Sequence, residues 1–429
     1  MNAQTPVRGA HLVAGGERTP AGTGWFARLV AGRFHRLLDR IDAGLACGTM
    51  DARLPDGSVR RLGGRGDGPW AQIDLTDWNA LLRLATGGSV GWYQAWEARE
   101  WDSSDPVQIF ALFMRNAGHL GGVARAKGPW RWLLRHFHWL HRNSRDGAQK
   151  NIAAHYDLGN DFYAQWLGPT MLYSGGLFDP DPPPCAAGQM FDDLDKAQSA
   201  KCTAIIERLA LDRDSEVLEI GCGWGTLAAH MADAFGCRVT AISLSDEQLA
   251  FARAHCDPQG GGRVDFVRQD YRDVGGRFDA IVSIEMVEAV GQRYWPEFFD
   301  ALARALKPGG RAVIQYIAIR DDLFDSYAAS ADFIQTYVFP GGMLVRESAF
   351  KALAAERGLE WRDPLAFGLD YAETLRLWRE NFDRAVDEGR LPPGFDQRFV
   401  RLWRYYLMYC EGGFRGGGID VVQVTLVKG

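Results

Sequence analysis

Residues 216 to 225 read Glu-Val-Leu-Glu-Ile-Gly-Cys-Gly-Trp-Gly, and this stretch decides the fold. A short apolar run ending at Ile220 passes directly into glycines at alternate positions, Gly221, Gly223 and Gly225, and then into the helical run Thr226 to Phe235. Glycine lets the backbone turn sharply and approach a ligand closely. The pattern therefore predicts a strand, a tight loop and a helix at the carboxyl edge of a sheet, where open α/β sheets bind nucleotides. Downstream the alternation continues through RVTAIS (238–243), DEQLAFARAHC (246–256), VDFVRQD (264–270), FDAIVSIE (278–285), YWPEFFDALARAL (294–306) and RAVIQYIAI (311–319). Short β-branched runs separated by helical ones mean a largely parallel sheet covered on both faces. The expected class is α/β, with a Rossmann-like nucleotide-binding domain.

The ligand follows from the spacing. A dinucleotide site expects GxGxxG and an acidic residue ending the second strand; here the loop is GxGxG and the second strand ends in Ser243. No GxxxxGK[ST] phosphate loop is present. S-adenosylmethionine fits better, with Glu219 at the strand end, Ser243 and Gln248 near the ribose, and Asp270 and Tyr271 near the adenine. Taken alone, the glycine triplet also fits an ordinary strand-to-helix turn.

Upstream the chain has a different character. It is 429 residues long and 47% hydrophobic, enough for two domains with substantial cores. Residues 1–24 lack apolar periodicity and predict a disordered leader with no signal-peptide-like stretch. Residues 25–120 predict a small N-terminal α+β domain, beginning with a basic amphipathic helix over 25–45 and continuing with strands over 49–80 and helix over 78–114. Residues 121–150 form the expected linker; 124–150 hold five Arg, two Lys, three His and three Trp against one Asp. The second domain is expected over 151–429.

A net charge of -6 argues against nucleic acid as a partner. Seven cysteines without CxxC or paired Cys/His spacing argue against a zinc site or a disulfide framework, and no metal is expected. No run reaches the roughly 18 apolar residues that span a bilayer. The expected location is the cytoplasm, with peripheral attachment to the inner face of the membrane through the basic, aromatic segments.

Several motifs together resemble the cyclopropane fatty acid synthase and mycolic acid cyclopropane synthase family. They are NIAAHYDLGNDFYAQWLGPTMLYSGG (151–176), VLEIGCGWG (217–225), LSDEQ (244–248), RQDYRD (268–273), FDAIVSIEMVEAVG (278–291), FPGG (339–342), FGLDYAETLRLW (367–378) and YYLMYCEGGFR (405–415). The resemblance implies transfer of a one-carbon unit from S-adenosylmethionine to the cis double bond of unsaturated phospholipid acyl chains. It adds Tyr173, Ser174 and Cys222 to the cofactor contacts already named. It implies a bicarbonate ion as the base, held by Glu288, Tyr371 and Cys410, with Gly175 where the family has Cys and Gln315 where it has His. Aromatic tunnel walls would include Tyr156, Phe162, Trp166, Tyr173, Tyr294, Phe333, Tyr337 and Phe339, each of which also reads as core packing. Glu285 and Ala289 depart from the Gly and His of the family pattern. With Gln315 they resemble a branch that forms methylene or methyl branches, for which a separate reductase would be a partner; a homodimer is a further partner the resemblance allows. A small-molecule N- or O-methyltransferase and a non-catalytic lipid-binding relative are the other readings.

Overall fold

The structure is a computed structural model that describes residues 8–13, 31–121, 158–178, 190–256, 262–330 and 332–429. It divides into two compact units, one of Met1–His141, Arg320–Pro340 and Pro393–Ile419, the other of Arg142–Ile319, Gly341–Pro392 and Asp420–Gly429. Most of the expected leader, the start of the 25–45 helix, the 122–150 part of the linker and Tyr156 lie outside the described residues.

In the first unit the helix Ala31–Gly44 buries Phe34, Leu38 and Ile41, the one-face spacing that the sequence predicts. Four strands follow, β1 (Thr49–Arg53), β2 (Val59–Gly63), β3 (Trp70–Leu75) and β4 (Trp101–Asp102), in the order β2-β1-β3-β4. The turn between β1 and β2 is closed by Gly57 N donating to Leu54 O (2.9 Å) and Ser58 N to Asp56 Oδ1 (2.9 Å). Within the expected leader, Ala10–Val13 is a short helix; Leu12 is buried and Arg8 N donates to Gly394 O (2.9 Å).

Two later segments belong to this unit although the sequence reading assigns them to the second domain. Tyr405, on the helix Gln397–Arg415, packs against Tyr93 (ring centroids 5.1 Å) and Phe333 (4.7 Å). Gly412 on the same helix lies so close to Phe110 that an added Cβ would come within 2.4 Å of its Cβ. Contacts between residues three hundred positions apart leave no local signal in a sequence.

The second unit contains one seven-stranded sheet. Its strands are β5 (Glu216–Ile220), β6 (Arg238–Ser243), β7 (Val264–Arg268), β8 (Phe278–Ile284), β9 (Leu306–Ile319), β10 (Leu359–Ala366) and β11 (Ile419–Lys428), in the order β10-β11-β9-β8-β5-β6-β7. Strands β5 to β9 pair in parallel, and β10 pairs antiparallel with β11. The chain leaves β5 toward β6 on one side and returns to β8 on the other, so the end of β5 is a topological switch point. The central strands are buried nearly throughout, as strands covered on both faces must be.

Candidate active site

The glycine loop sits at that switch point. Gly221 (φ 84°), Gly223 (φ 53°) and Gly225 (φ 89°) all take left-handed backbone, which side chains with a Cβ rarely adopt. The protein itself enforces two of them: a Cβ on Gly221 would meet Met286 at 2.8 Å, and one on Gly225 would meet Ala252 and Phe266 at 2.8 Å. At Gly223 a Cβ would meet no protein atom within 4 Å, so that position lines open space.

The residues expected around the cofactor gather at the same edge. Gly221 N and Cys222 N donate to Ile242 O (2.9 and 3.1 Å), tying the loop to the end of β6. Glu219 is buried, its Oε2 has no hydrogen-bond partner, and burial pushes its carboxyl up to about 8. Ser243 Oγ donates to Gln248 Oε1 (3.3 Å), while Gln248 Nε2 is buried without a partner. An unpartnered buried polar atom is uncommon in a folded protein and asks for a ligand or another explanation. Asp270 differs: its carboxylate is gripped by Arg272, through Nε at 2.8 Å and Nη2 at 2.6 Å, and Tyr271 is buried edge-on against Phe298. Tyr173 lies in a ring cluster with Tyr163, Trp166 and Trp378, and Phe162 and Trp166 are fully buried.

Three of the five residues expected around the base meet at one carboxylate, that of Glu285. Gly175 N (2.9 Å) and Gln315 Nε2 (2.7 Å) donate to Oε1, and Tyr371 OH (2.7 Å) donates to Oε2. Sheet register explains the meeting of Gln315 with Glu285. Ile284 lies opposite Gln315 at the end of the β8/β9 pair, and Glu285 N donates to Gln315 O (2.8 Å). Gly175 must be small, because a Cβ there would stand 2.9 Å from Tyr371 Cγ. Gln423, on β11, donates through Nε2 to Gln315 Oε1 (3.0 Å), which turns the other end of the Gln315 amide toward Glu285. Glu285 itself has φ 47°, the left-handed region in which the family pattern has glycine. Burial raises its carboxyl above the ordinary range, opposed by its donors Tyr371, Gly175 and Gln315 and by the charge of Lys201.

Glu288 stands three residues on, in the short 3-10 helix Val287–Ala289. Its Oε1 accepts from Ile317 N, its Oε2 is buried without a partner, and burial together with the charge of Glu285 pushes its carboxyl up to about 8. Cys410 lies in the first unit, on the helix Gln397–Arg415, where burial holds its thiol far above the ordinary range. Glu285 and Gln423 are the residues the sequence reading left without a role. Glu285 carried a signal, its departure from a glycine; Gln423 carried none. Among the described residues no cluster suited to a metal ion is present.

Comparison with known proteins gives a concordant result. A family model described as mycolic acid cyclopropane synthetase matches residues 143–424. The tuberculostearic acid methyltransferase UfaA1 of Mycobacterium tuberculosis is 36% identical over 90% of this chain and 86% of its own. The cyclopropane-fatty-acyl-phospholipid synthase of Escherichia coli K12 is 37% identical over 64% of this chain and 67% of its own. Among solved structures, the cyclopropane synthase MmaA2 of Mycobacterium tuberculosis superposes with a TM-score of 0.58 at 26% identity, covering 65% of this chain and 98% of its own. The mycolic acid cyclopropane synthase CmaA1 complexed with SAH and CTAB gives 0.58 at 25% identity, covering 65% and 98%.

Proposed function

The chain belongs to the mycolic acid cyclopropane synthetase family, and on that premise we propose that it transfers a one-carbon unit from S-adenosylmethionine to the cis double bond of unsaturated phospholipid acyl chains. The observation that carries the reading is the convergence of Gly175, Gln315 and Tyr371 on Glu285 beside the glycine loop. When bound, S-adenosylmethionine supplies an electrophilic methyl group on a sulfonium. Glu219, Gln248, Ser243, Gly221, Cys222, Gly223 and Gly225 would hold it, with Tyr173, Ser174, Asp270 and Tyr271 at its border. The partnerless atoms of Glu219 and Gln248 and the open side of Gly223 fit that role.

We further propose that the base is Glu285 and not bicarbonate. The donors that the family resemblance assigns to a bound anion are spent on a carboxylate the chain already carries. Burial, the larger effect, raises the proton affinity of Glu285, and the three hydrogen bonds favour its ionised form; the ionised carboxylate can accept the proton that the acyl cation loses. Glu288 is a neighbouring acid whose proton responds to the charge on Glu285.

A second reading concerns what the cation does before the proton leaves. Direct loss of a proton from the added carbon closes a ring, whereas a 1,2-hydride shift from the methyl-bearing carbon to the cationic carbon, followed by loss of a proton from the added carbon, gives a methylene branch. Glu285, Gln315 and Ala289, together with the likeness to a tuberculostearic acid methyltransferase, favour the branch; a separate reductase would then saturate the product. Mass spectrometry of membrane fatty acids from cells expressing the protein and fed monoenes tests both readings. In cells that lack such a reductase, chains gain one methylene in either case, and only the branch keeps an ozonolysis-sensitive alkene. No gain in mass contradicts the assignment.

The substrate lies in a bilayer, so we propose peripheral attachment to an anionic, cytoplasmic membrane face. The basic aromatic segment at 124–145 supports this; among the described residues no helix is long and apolar enough to cross a membrane.

A further inference from the structure

Lys201 lies on the helix Met190–Leu209 and is only 1% exposed. A buried ammonium is costly unless it is hydrogen-bonded and its charge is balanced. Its hydrogen bonds go to neutral oxygens, Ser174 Oγ (2.6 Å) and Gln198 Oε1 (2.6 Å). Gln198, three residues earlier on the same helix face, donates to Ser174 O (2.9 Å). Ser174 is thus gripped at both its hydroxyl and its carbonyl. The next residue, Gly175, supplies the amide that meets Glu285, and the previous one, Tyr173, belongs to the expected cofactor contacts. The acids that feel the Lys201 charge are Glu219 at the glycine loop and Glu285 at the base.

We propose that Lys201 is a positioning residue that ties the cofactor site to the base: its ammonium pins the Tyr173-Ser174-Gly175 segment and is the shared counter-ion of Glu219 and Glu285. The half that concerns Glu285 rests on the reading of that residue as the base. Burial, the largest effect, lowers the proton affinity of Lys201, and the charges of Cys202, Glu285 and Glu219 oppose it. Around Glu285 stand Tyr371, Glu288 and Lys201; around Glu219 stand Lys201, Cys202, Cys222 and Cys256. Lys201 is the cation among them, so removing it raises the proton affinity of both acids.

The test uses the full-length protein with Lys201→Met, which keeps the length of the side chain without its charge. Calorimetry with S-adenosylmethionine should show affinity about tenfold weaker. The acid limb of the turnover-versus-pH curve should move to higher pH by about one unit, because Glu285 must be ionised to accept a proton. Ser174→Ala, which removes the hydroxyl and leaves the charge, should lower turnover without moving that limb. If Lys201→Met does not fold, Lys201→Gln, a donor without charge, carries the same two expectations. An acid limb that stays in place together with unchanged cofactor affinity overturns the proposal, as does a loss of turnover with neither shift, which would make Lys201 a packing residue. Glu285→Gln separates the two readings. If it keeps full turnover the base assignment falls, and the cofactor affinity of Lys201→Met then decides the link to Glu219 alone.

Discussion

Glu285 adopts a backbone conformation that costs a non-glycine residue about 1 to 2 kcal/mol. Such strain persists where the side chain is needed, and here the side chain collects three donors. Glu285→Gly should therefore fold at least as stably as the parent and lose turnover by a factor of about a thousand or more, the loss expected when an essential proton acceptor is removed. Added bicarbonate should restore part of that turnover, since it can enter the space the carboxylate leaves; steady-state rates with and without bicarbonate check this. Glu288 makes a different prediction. Its carboxyl is pushed from 4.5 to about 8, so its contribution to stability is whole below 4.5 and is lost as pH climbs through about 8. Glu288→Gln should flatten that decline, melting close to the parent at about pH 5 and above it at about pH 9, as read by scanning calorimetry. The sequence marked Glu285 only as an oddity. Its role depends on a positive φ and on a strand register, and neither can be seen in a string of letters.

At the scale of elements, the site is made by strand ends and one tight approach. Strands β5, β6 and β8 announce themselves through β-branched runs, and the loop after β5 through its glycines, so the cofactor edge was legible. The pair β10 and β11 was not anticipated. Strand β10 carries Pro364 and a row of mostly exposed side chains, a weak strand pattern; yet β11 delivers Gln423, which orients Gln315. The helix Gly368–Asp387 presents Tyr371 against Gly175 with no room for a methyl group. Gly175→Ala should push the Tyr371 ring aside and break its bond to Glu285. Turnover should fall by about ten- to a hundredfold, the cost of about 1.4 to 2.7 kcal/mol in the transition state, with the fold intact by circular dichroism.

At the scale of the whole molecule, the chain enters the first unit three times. A single boundary near residue 120 is what composition suggests, because a shift in composition is a local signal and long-range packing such as Gly412 on Phe110 is not. Cys410 consequently lies in a different unit from Glu288, with which the family resemblance groups it. The net charge of -6 makes any attraction to an anionic membrane a local matter, and the basic segment holding Arg131, Arg135 and Arg142 is the candidate. Sedimentation with phosphatidylglycerol vesicles should weaken as salt rises and should be lost when those three arginines become glutamates; binding that ignores both changes contradicts electrostatic docking. The central claim, acyl methylation with a base built into the chain, has a more direct test. Purified protein is given S-adenosylmethionine labelled in its methyl group and vesicles of cis-unsaturated phosphatidylglycerol in bicarbonate-free buffer, beside its Glu285→Gln variant. The parent should give labelled acyl chains one methylene heavier, unaffected by added bicarbonate, and the variant none; unlabelled chains, or turnover that appears only when bicarbonate is supplied, would contradict a base built into the chain.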